Sequence, residues 1–238
     1  MPTMMKPDMK TACRHLAAGI VGWAMGSLAS PALAVSEHLL IQKPAAVAAV
    51  TVAPQFHERL ASPEDLKQLR HGGFVLYLRH GYTDNTRPDR TPEVDLNDCS
   101  TQRPLTEEGR KLAASVGEAI RKARIPLSDI HLSPLCRVTE TAAAAFPGQK
   151  SRIDLQLMYT ANLTNAQKAP IIANTRRLLS EIVPAKTNRL VVAHGPNLMD
   201  LMGYFPKEGT LVIFRPMGDQ GFDYVASIPP SRWPMLLH

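Results

Sequence analysis

Two apolar runs, each ending in a histidine and a glycine, constrain this chain more than any other feature. Phe74 to Leu78 is a run of five apolar residues that leads into Arg79-His80-Gly81, and Leu190 to Ala193 leads into His194-Gly195. Short apolar runs without polar alternation are typical of strands buried on both faces of a parallel sheet. The carboxyl ends of such strands form the edge where open α/β sheets bind ligands. One Arg-His-Gly alone would be weak evidence, because most histidines are structural, but two such strand ends predict a functional site.

Strands and helices alternate along the rest of the chain. Further strands are predicted at residues 130–132, 153–157, 211–214 and 222–228, of which 153–157 resembles an edge strand. Helices are predicted at residues 63–71, 106–123, 137–146, 166–182 with an interruption near Pro170, and from 197 to 203. This order predicts an α/β fold, a three-layer sandwich in which a mostly parallel sheet has helices on both faces.

The first 34 residues have the pattern of a secretory signal peptide. A basic stretch at residues 6–14 precedes an apolar stretch at residues 16–29, and Ala32-Leu33-Ala34 forms a small-x-small cleavage site. The apolar stretch is shorter than the roughly 20 residues that a membrane-spanning helix needs. We therefore expect cleavage after Ala34, a periplasmic or secreted protein and no stable membrane insertion. Retention of the segment as an anchor is the alternative.

The exported part divides into two regions and keeps two cysteines. Residues 35–61 are rich in Ala, Val and Pro without a clear period, which predicts a linker or a loose N-terminal arm, and residues 62–238 are expected to form the folded domain. Of the three cysteines, only Cys99 and Cys136 lie beyond the signal peptide. An oxidising compartment favours a disulfide between them, with two unpaired buried thiols as the alternative.

Composition narrows the classes of partner. The chain has a net charge of +6 but no arginine-rich run, no zinc-finger spacing and no aromatic platform, so nucleic acid is a weak candidate. His57, His71 and His131 have no partners at metal-ligand spacing, so no metal site is expected. The positive charge is compatible with an anionic small molecule.

A third strand end supplies another arginine. Ser133-Pro134 follows the strand at 130–132, and Arg137 opens the next helix, where the positive end of the helix dipole adds to its charge. With this third element the chain resembles the histidine phosphatase superfamily, which has the phosphoglycerate-mutase-like fold. The residues that carry the resemblance are Leu78 to Gly81 with Thr83, Ser133-Pro134 with Arg137 and Thr139 to Thr141, Ala193 to Gly195, and Leu105 to Arg110. The chain is most similar to small exported bacterial members, which share Asp98-Cys99, Gln102-Arg103 and an ending like residues 214–233.

The resemblance implies a role for each matching residue. His80 would be the nucleophile that forms a phosphohistidine, Arg79 and Arg137 would clamp the phosphoryl oxygens, and His194 would donate a hydrogen bond. Thr83, Asp84, Arg103 and Asn197 are further candidates for substrate binding, and Asp84 could equally be a turn-former. Fixed cations stabilise the charge of a phosphoryl group in transfer, so no cofactor is expected.

The expected function is that of an exported phosphomonoesterase acting on a small-molecule or glycan phosphate ester. A phosphoglycerate-type mutase is an alternative, disfavoured by export and because residues 153–162 contain no glutamate to act as the acid. A catalytically inactive phosphate- or phosphosugar-binding module is the other alternative. Loss of turnover usually removes the nucleophile, and His80 is present. The sequence assigns neither the substrate, the proton donor nor the oligomeric state.

Overall fold

The computed structural model describes residues 55–90 and 94–238. The helices are α1 Pro63–His71, α2 Glu107–Lys122, α3 Cys136–Ala145, α4 Asn165–Ser180, α5 Gly195–Met202 and α6 Trp233–Leu236. The strands are β1 Val75–Arg79, β2 Leu127–Leu132, β3 Arg152–Ile153, β4 Asn188–Ala193, β5 Leu211–Pro216 and β6 Phe222–Ile228. The signal peptide predicted at residues 1–34, and the linker up to residue 54, lie outside the described residues.

The six strands form one mixed sheet in the order β3-β2-β4-β1-β5-β6. The first four strands of the chain are parallel to one another, whereas β5 runs antiparallel to both β1 and β6. The predicted α/β class with a mostly parallel sheet is therefore confirmed. Because β1 and β4 are adjacent, with Arg79 opposite Ala193, the chain leaves both strands side by side at the same edge.

Helices cover both faces of the sheet, because alternate residues of each strand point to opposite sides. In β1, Leu76 and Leu78 belong to the hydrophobic cluster formed with α1, α2, α3 and α6. Val75 and Tyr77 belong to the second cluster, which includes residues of α4 and α5. The uninterrupted apolar run that predicted a doubly covered strand is thus explained by two cores.

Local signals in the sequence set several element ends. The Ser62 side chain accepts a hydrogen bond from the Asp65 amide while Asp65 accepts from the Ser62 amide, so a capping box starts α1. Gly72 ends the same helix with a φ of 77°, a conformation that glycine adopts without strain. The Thr106 hydroxyl caps α2 by accepting from Gly109.

Two elements differ from the sequence prediction. The predicted strand at 153–157 is only Arg152–Ile153, because the Asp154 side chain accepts a hydrogen bond from the Gln156 amide and turns the chain into a 3₁₀ segment. The predicted interruption near Pro170 is wrong, since α4 is continuous through this residue. Pro170 lies close to the capped N-terminus of α4, so its missing N–H costs only one bond there.

The folded domain begins earlier than the expected boundary at residue 62. The Phe56 ring stacks on Tyr204 at 4.3 Å between centroids and meets Tyr224 edge-on at 4.8 Å. Leu60 pairs with Ser227 of β6. The described end of the segment that was predicted to be a linker or a loose arm is therefore packed on the domain. Within the described ranges, no helix is both long and apolar enough to span a membrane.

Candidate active site

The two histidines predicted to share a sheet edge lie together where β1 and β4 end. The rings of His80 and His194 are 5.3 Å apart between centroids, with an interplanar angle of 64°. Nδ1 of His80 lies 2.8 Å from the carbonyl oxygen of Gly81. Because a carbonyl can only accept, Nδ1 carries the proton of the neutral ring. The lone pair is then on Nε2, which is free to attack an electrophile.

Both imidazoles are held in the neutral form. Burial lowers the pKa of His80 well below its usual value, and the charge of Arg137 lowers it further. The pKa of His194 is lowered well below its usual value by the same two causes. A protonated imidazole has no lone pair on Nε2, so these surroundings keep His80 nucleophilic at neutral pH.

His194 is oriented by two hydroxyl groups. The Ser133 Oγ lies 2.7 Å from Nε2 of His194. The Tyr77 hydroxyl donates to the His194 carbonyl at 2.8 Å and accepts from its amide at 3.1 Å. Nδ1 is buried and has no partner among the residues described. When Ser133 donates to Nε2, the ring proton is on Nδ1 and is available to a ligand.

Three arginines surround the histidine pair, each with part of its guanidinium committed. Arg79 donates from Nη1 to the Pro206 carbonyl at 2.6 Å and from Nη2 to Glu208 at 2.7 Å. Arg137, which is 0% exposed, donates from Nη1 to Asp89 at 2.9 Å. The guanidinium of Arg103 donates to Asn85 at 3.1 Å.

The uncommitted atoms of these arginines define what the site can bind. Within residues 55–90 and 94–238, Nε of Arg79, Nε of Arg103, and Nε and Nη2 of Arg137 are buried without a hydrogen-bond partner. A buried donor that is left unpaired costs free energy, so this set favours an incoming anion with several acceptor oxygens. A phosphoryl group meets that requirement.

The motif glycine and a threonine hold β1 and α3 together. The Thr141 hydroxyl accepts from the Gly81 amide at 3.0 Å and donates to the Arg137 carbonyl at 2.7 Å. A Cβ at Gly81 would overlap the carbonyl oxygen of Gly109 in α2, so only glycine fits where α2 crosses the strand end. This packing fixes Arg137 relative to His80.

Cys99 and Cys136 lie in position to form a disulfide. The Cα atoms of Cys99 and Cys136 are 5.7 Å apart, with the two sulfur atoms in bonding position. Beside them, the Gln102 side chain accepts from the Cys136 amide at 2.7 Å. The loop that carries Arg103 is thereby attached to the first turn of α3, one residue from Arg137.

The structure brings together only some of the other candidates. Arg103 lies in the arginine cluster. Asp84 does not, since its carboxylate accepts from the amide and hydroxyl of Thr86 and caps a turn, as its alternative interpretation held. Thr83 is buried and pairs with Leu105, and its Oγ1 has no partner in the described chain. Asn197 donates to the Met158 carbonyl at 3.0 Å and so supports a neighbouring loop.

Two residues at the site were not found from the sequence. Asp89 is the counter-charge of Arg137, with a side chain only 6% exposed. The Tyr159 ring lies 5.1 Å from the Arg137 guanidinium carbon and 5.5 Å from the His194 ring centroid. Asp89 had no signal beyond its place in a polar loop. Tyr159 lies within residues 153–162, for which the sequence prediction concerned only the absence of a glutamate and did not include an aromatic residue.

No cluster of three or more His, Cys, Asp or Glu side chains in the described part of the chain is arranged to hold a metal ion. The positive charge around His80 comes from the three arginines.

A comparison with protein families identifies the part of the chain that forms this site. Residues 75–163 match the family model of the histidine phosphatase superfamily (branch 1). Over this segment the chain is similar to members of the histidine phosphatase superfamily. The matched segment contains Arg79, His80, Arg103 and Arg137, while His194 lies beyond it. A search of curated proteins finds none that matches the chain.

Solved structures of phosphatases resemble the chain at low identity. The protein histidine phosphatase SixA, complexed with tungstate, is 15% identical, with a TM-score of 0.46 over 66% of this chain and 97% of that one. Mycobacterial glucosyl-3-phosphoglycerate phosphatase is 19% identical, with a TM-score of 0.46 over 65% of this chain and 98% of that one. The alpha-ribazole phosphatase from Shigella flexneri is 14% identical, with a TM-score of 0.43 over 66% of this chain and 96% of that one.

Proposed function

We propose that this protein is a phosphatase that hydrolyses a phosphate monoester through a phosphohistidine on His80. The observation that carries the proposal is the neutral His80, whose Nε2 is free beside buried arginine donors that lack an acceptor. A nucleophile without charge approaches an anionic phosphoryl group without repulsion, and the guanidinium groups stabilise the negative charge on the transferring oxygens.

The reaction proceeds in two displacements. Nε2 of His80 attacks phosphorus as the bond to the ester oxygen breaks, and the leaving oxygen takes up a proton to become an alcohol. Water then attacks the phosphohistidine, the P–N bond breaks, and inorganic phosphate leaves with His80 restored. Arg79 and Arg137 hold the phosphoryl oxygens in both steps, and His194 donates from Nδ1.

The compartment is a separate part of the proposal. The signal-peptide pattern of residues 1–34 supports export to the periplasm or the medium, with Val35 as the first residue of the mature chain. A phosphate ester available outside the cytoplasm, either a small molecule or a glycan, would then be the substrate. A phosphoglycerate-type mutase fits this compartment less well, because its substrates are intracellular.

The decisive test compares the parent protein with His80→Ala on p-nitrophenyl phosphate. The parent should turn over the ester and retain an acid-labile, base-stable phosphate on the protein when quenched with alkali. His80→Ala should lose both by at least about 10³-fold, since the covalent route is removed. His57→Ala, at an exposed histidine outside the site, serves as the matched control and should retain both.

Each alternative function has its own outcome. Binding of inorganic phosphate without turnover by the parent would identify a binding module. Transfer of the phosphoryl group to a phosphoglycerate acceptor instead of to water would identify a mutase. Labelling that survives in His80→Ala would refute the assignment of the nucleophile.

A further inference from the structure

We propose that Tyr159 is a further catalytic residue, whose hydroxyl donates the proton that the leaving-group oxygen takes up. The inference rests on the proposed function, because it assigns the one proton in that reaction for which no donor has been named. The ring of Tyr159 lies against the arginines and His194, its hydroxyl has no hydrogen-bond partner in the described chain, and its segment is held by hydrogen bonds.

The Tyr159 ring forms a wall of the histidine and arginine cluster. Its centroid lies 5.1 Å from the guanidinium carbon of Arg137 and 5.7 Å from that of Arg103. The ring meets the imidazole of His194 edge-on at 5.5 Å, with an interplanar angle of 83°. Tyr159 therefore contacts the groups that would surround a phosphoryl group on His80.

The phenol of Tyr159 lies within electrostatic range of both Arg79 and Arg137. Burial lowers the pKa of Arg79 and of Arg137, and Tyr159 acts on both pKa values in the opposite direction. The hydroxyl has no hydrogen-bond partner among residues 55–90 and 94–238, and its ring is only partly exposed.

The segment that carries Tyr159 is held by hydrogen bonds on both sides. Asn197 of α5 donates from Nδ2 to the Met158 carbonyl at 3.0 Å. The Leu163 amide donates to the Thr160 carbonyl at 3.0 Å. Thr160 itself is fully buried. A donor on a fixed segment needs little reorganisation when the substrate binds.

The other acidic side chains described near the cluster already accept hydrogen bonds. Oδ1 of Asp89 accepts from the Arg137 guanidinium at 2.9 Å and from the Arg103 amide at 2.8 Å. Glu208 accepts from Arg79. Both carboxylates thus serve as counter-charges to the clamp. Asp84 is committed to its turn, so among the described residues Tyr159 keeps a hydroxyl proton that it can donate at the cluster.

The proton balance of this step is complete. As the P–O bond breaks, the O–H bond of Tyr159 breaks and a new O–H bond forms on the leaving oxygen, which departs as an alcohol. The neighbouring guanidinium groups stabilise the charge left on the phenolic oxygen. When water attacks the phosphohistidine, the phenolic oxygen takes a proton from that water and the hydroxyl is restored.

The test varies the leaving group in the parent protein and in Tyr159→Phe. This substitution keeps the ring and removes only the hydroxyl. Benzyl phosphate releases a strongly basic oxygen that needs a proton, whereas p-nitrophenyl phosphate releases a weakly basic one that does not. Tyr159→Phe should lower kcat about 10²-fold on benzyl phosphate and less than about threefold on p-nitrophenyl phosphate. The phosphoenzyme formed from p-nitrophenyl phosphate should be retained.

Every other outcome counts against the inference. An equal loss on both esters would show that the hydroxyl binds the phosphoryl group, and an unchanged kcat on benzyl phosphate would show that it has no part in the step. Asp89→Asn is the competing variant, and a selective loss on benzyl phosphate in that variant alone would assign the proton to Asp89. A parent protein that turns over neither ester refutes the proposed function itself.

Discussion

At the scale of single residues, the buried histidines link pH to stability as well as to chemistry. Burial lowers the pKa of His80 and of His194 in the folded chain, so the unfolded chain binds more protons below its own histidine pKa of about 6.5. The contribution is present above that pH and is lost as the pH falls. Each histidine should lower the free energy of unfolding by up to about 1.4 kcal/mol per pH unit below pH 6.5.

Urea unfolding at a series of pH values between 7 and 5 measures this dependence. The parent should become steadily less stable over that range. His194→Gln should flatten the slope by up to about 1.4 kcal/mol per pH unit, because one neutral buried group is removed. An identical slope in parent and variant would contradict the burial of an uncharged His194.

At the scale of elements, the pair Cys99 and Cys136 connects the loop after β1 to the start of α3. The two residues are 37 positions apart, and a disulfide closing a loop of this length stabilises by about 4 kcal/mol at most in the chain-entropy model. Reduction should therefore lower the melting temperature. It should also raise the Michaelis constant, since Arg137 follows Cys136 directly and Arg103 lies in the attached loop.

The intact mass of the protein recovered from the periplasm or the medium tests both the disulfide and the export. The mass should correspond to a chain that begins at Val35, and reduction should add two hydrogens. Two thiols that react with an alkylating agent before reduction would refute the disulfide. If the protein had no disulfide, a raised Michaelis constant would be attributed to the loop itself. Cys99→Ser is the matched variant for this comparison.

The elements also show why the sequence predicted His80 and His194 at the site but did not predict Tyr159. β1 and β4 were predictable because each is a run of apolar residues that two cores cover, and their strand ends then brought His80 and His194 together. Tyr159 could not be found in this way. It reaches the arginines only because the loop after β3 is folded back by long-range bonds, such as the one from Asn197 to the Met158 carbonyl.

The short β3 and the continuous α4 have the same kind of explanation. A side chain that accepts from the backbone two residues on, as Asp154 does, ends a strand that apolar content alone would extend. In α4, the capping box at Thr164 and the buried side chains of Ile171 and Leu178 outweigh the cost of Pro170. In both elements, interactions of particular side chains outweigh the propensity on which the prediction rested.

At the scale of the whole molecule, residues 55–61 act as part of the domain, although their composition predicted a linker. Phe56 packs between Tyr204 and Tyr224, and Arg59 forms an ion pair with Asp65 at 2.7 Å. Arg59 also donates to the Val225 carbonyl at 2.6 Å. The segment therefore joins α1 to β6, on the side of β1 away from β4.

We expect Phe56→Ala to destabilise the full-length protein by about 1–3 kcal/mol, because an aromatic ring that is partly buried between two others leaves a cavity. The exposed neighbour provides the control, since His57→Ala should change the free energy of unfolding by no more than about 0.5 kcal/mol. Urea unfolding of the three proteins gives both values.

If Phe56→Ala unfolds at the same urea concentration as the parent, the segment is a loose arm, as its composition alone suggested. If it is destabilised while kcat on p-nitrophenyl phosphate is unchanged, the segment supports the sheet and not the site.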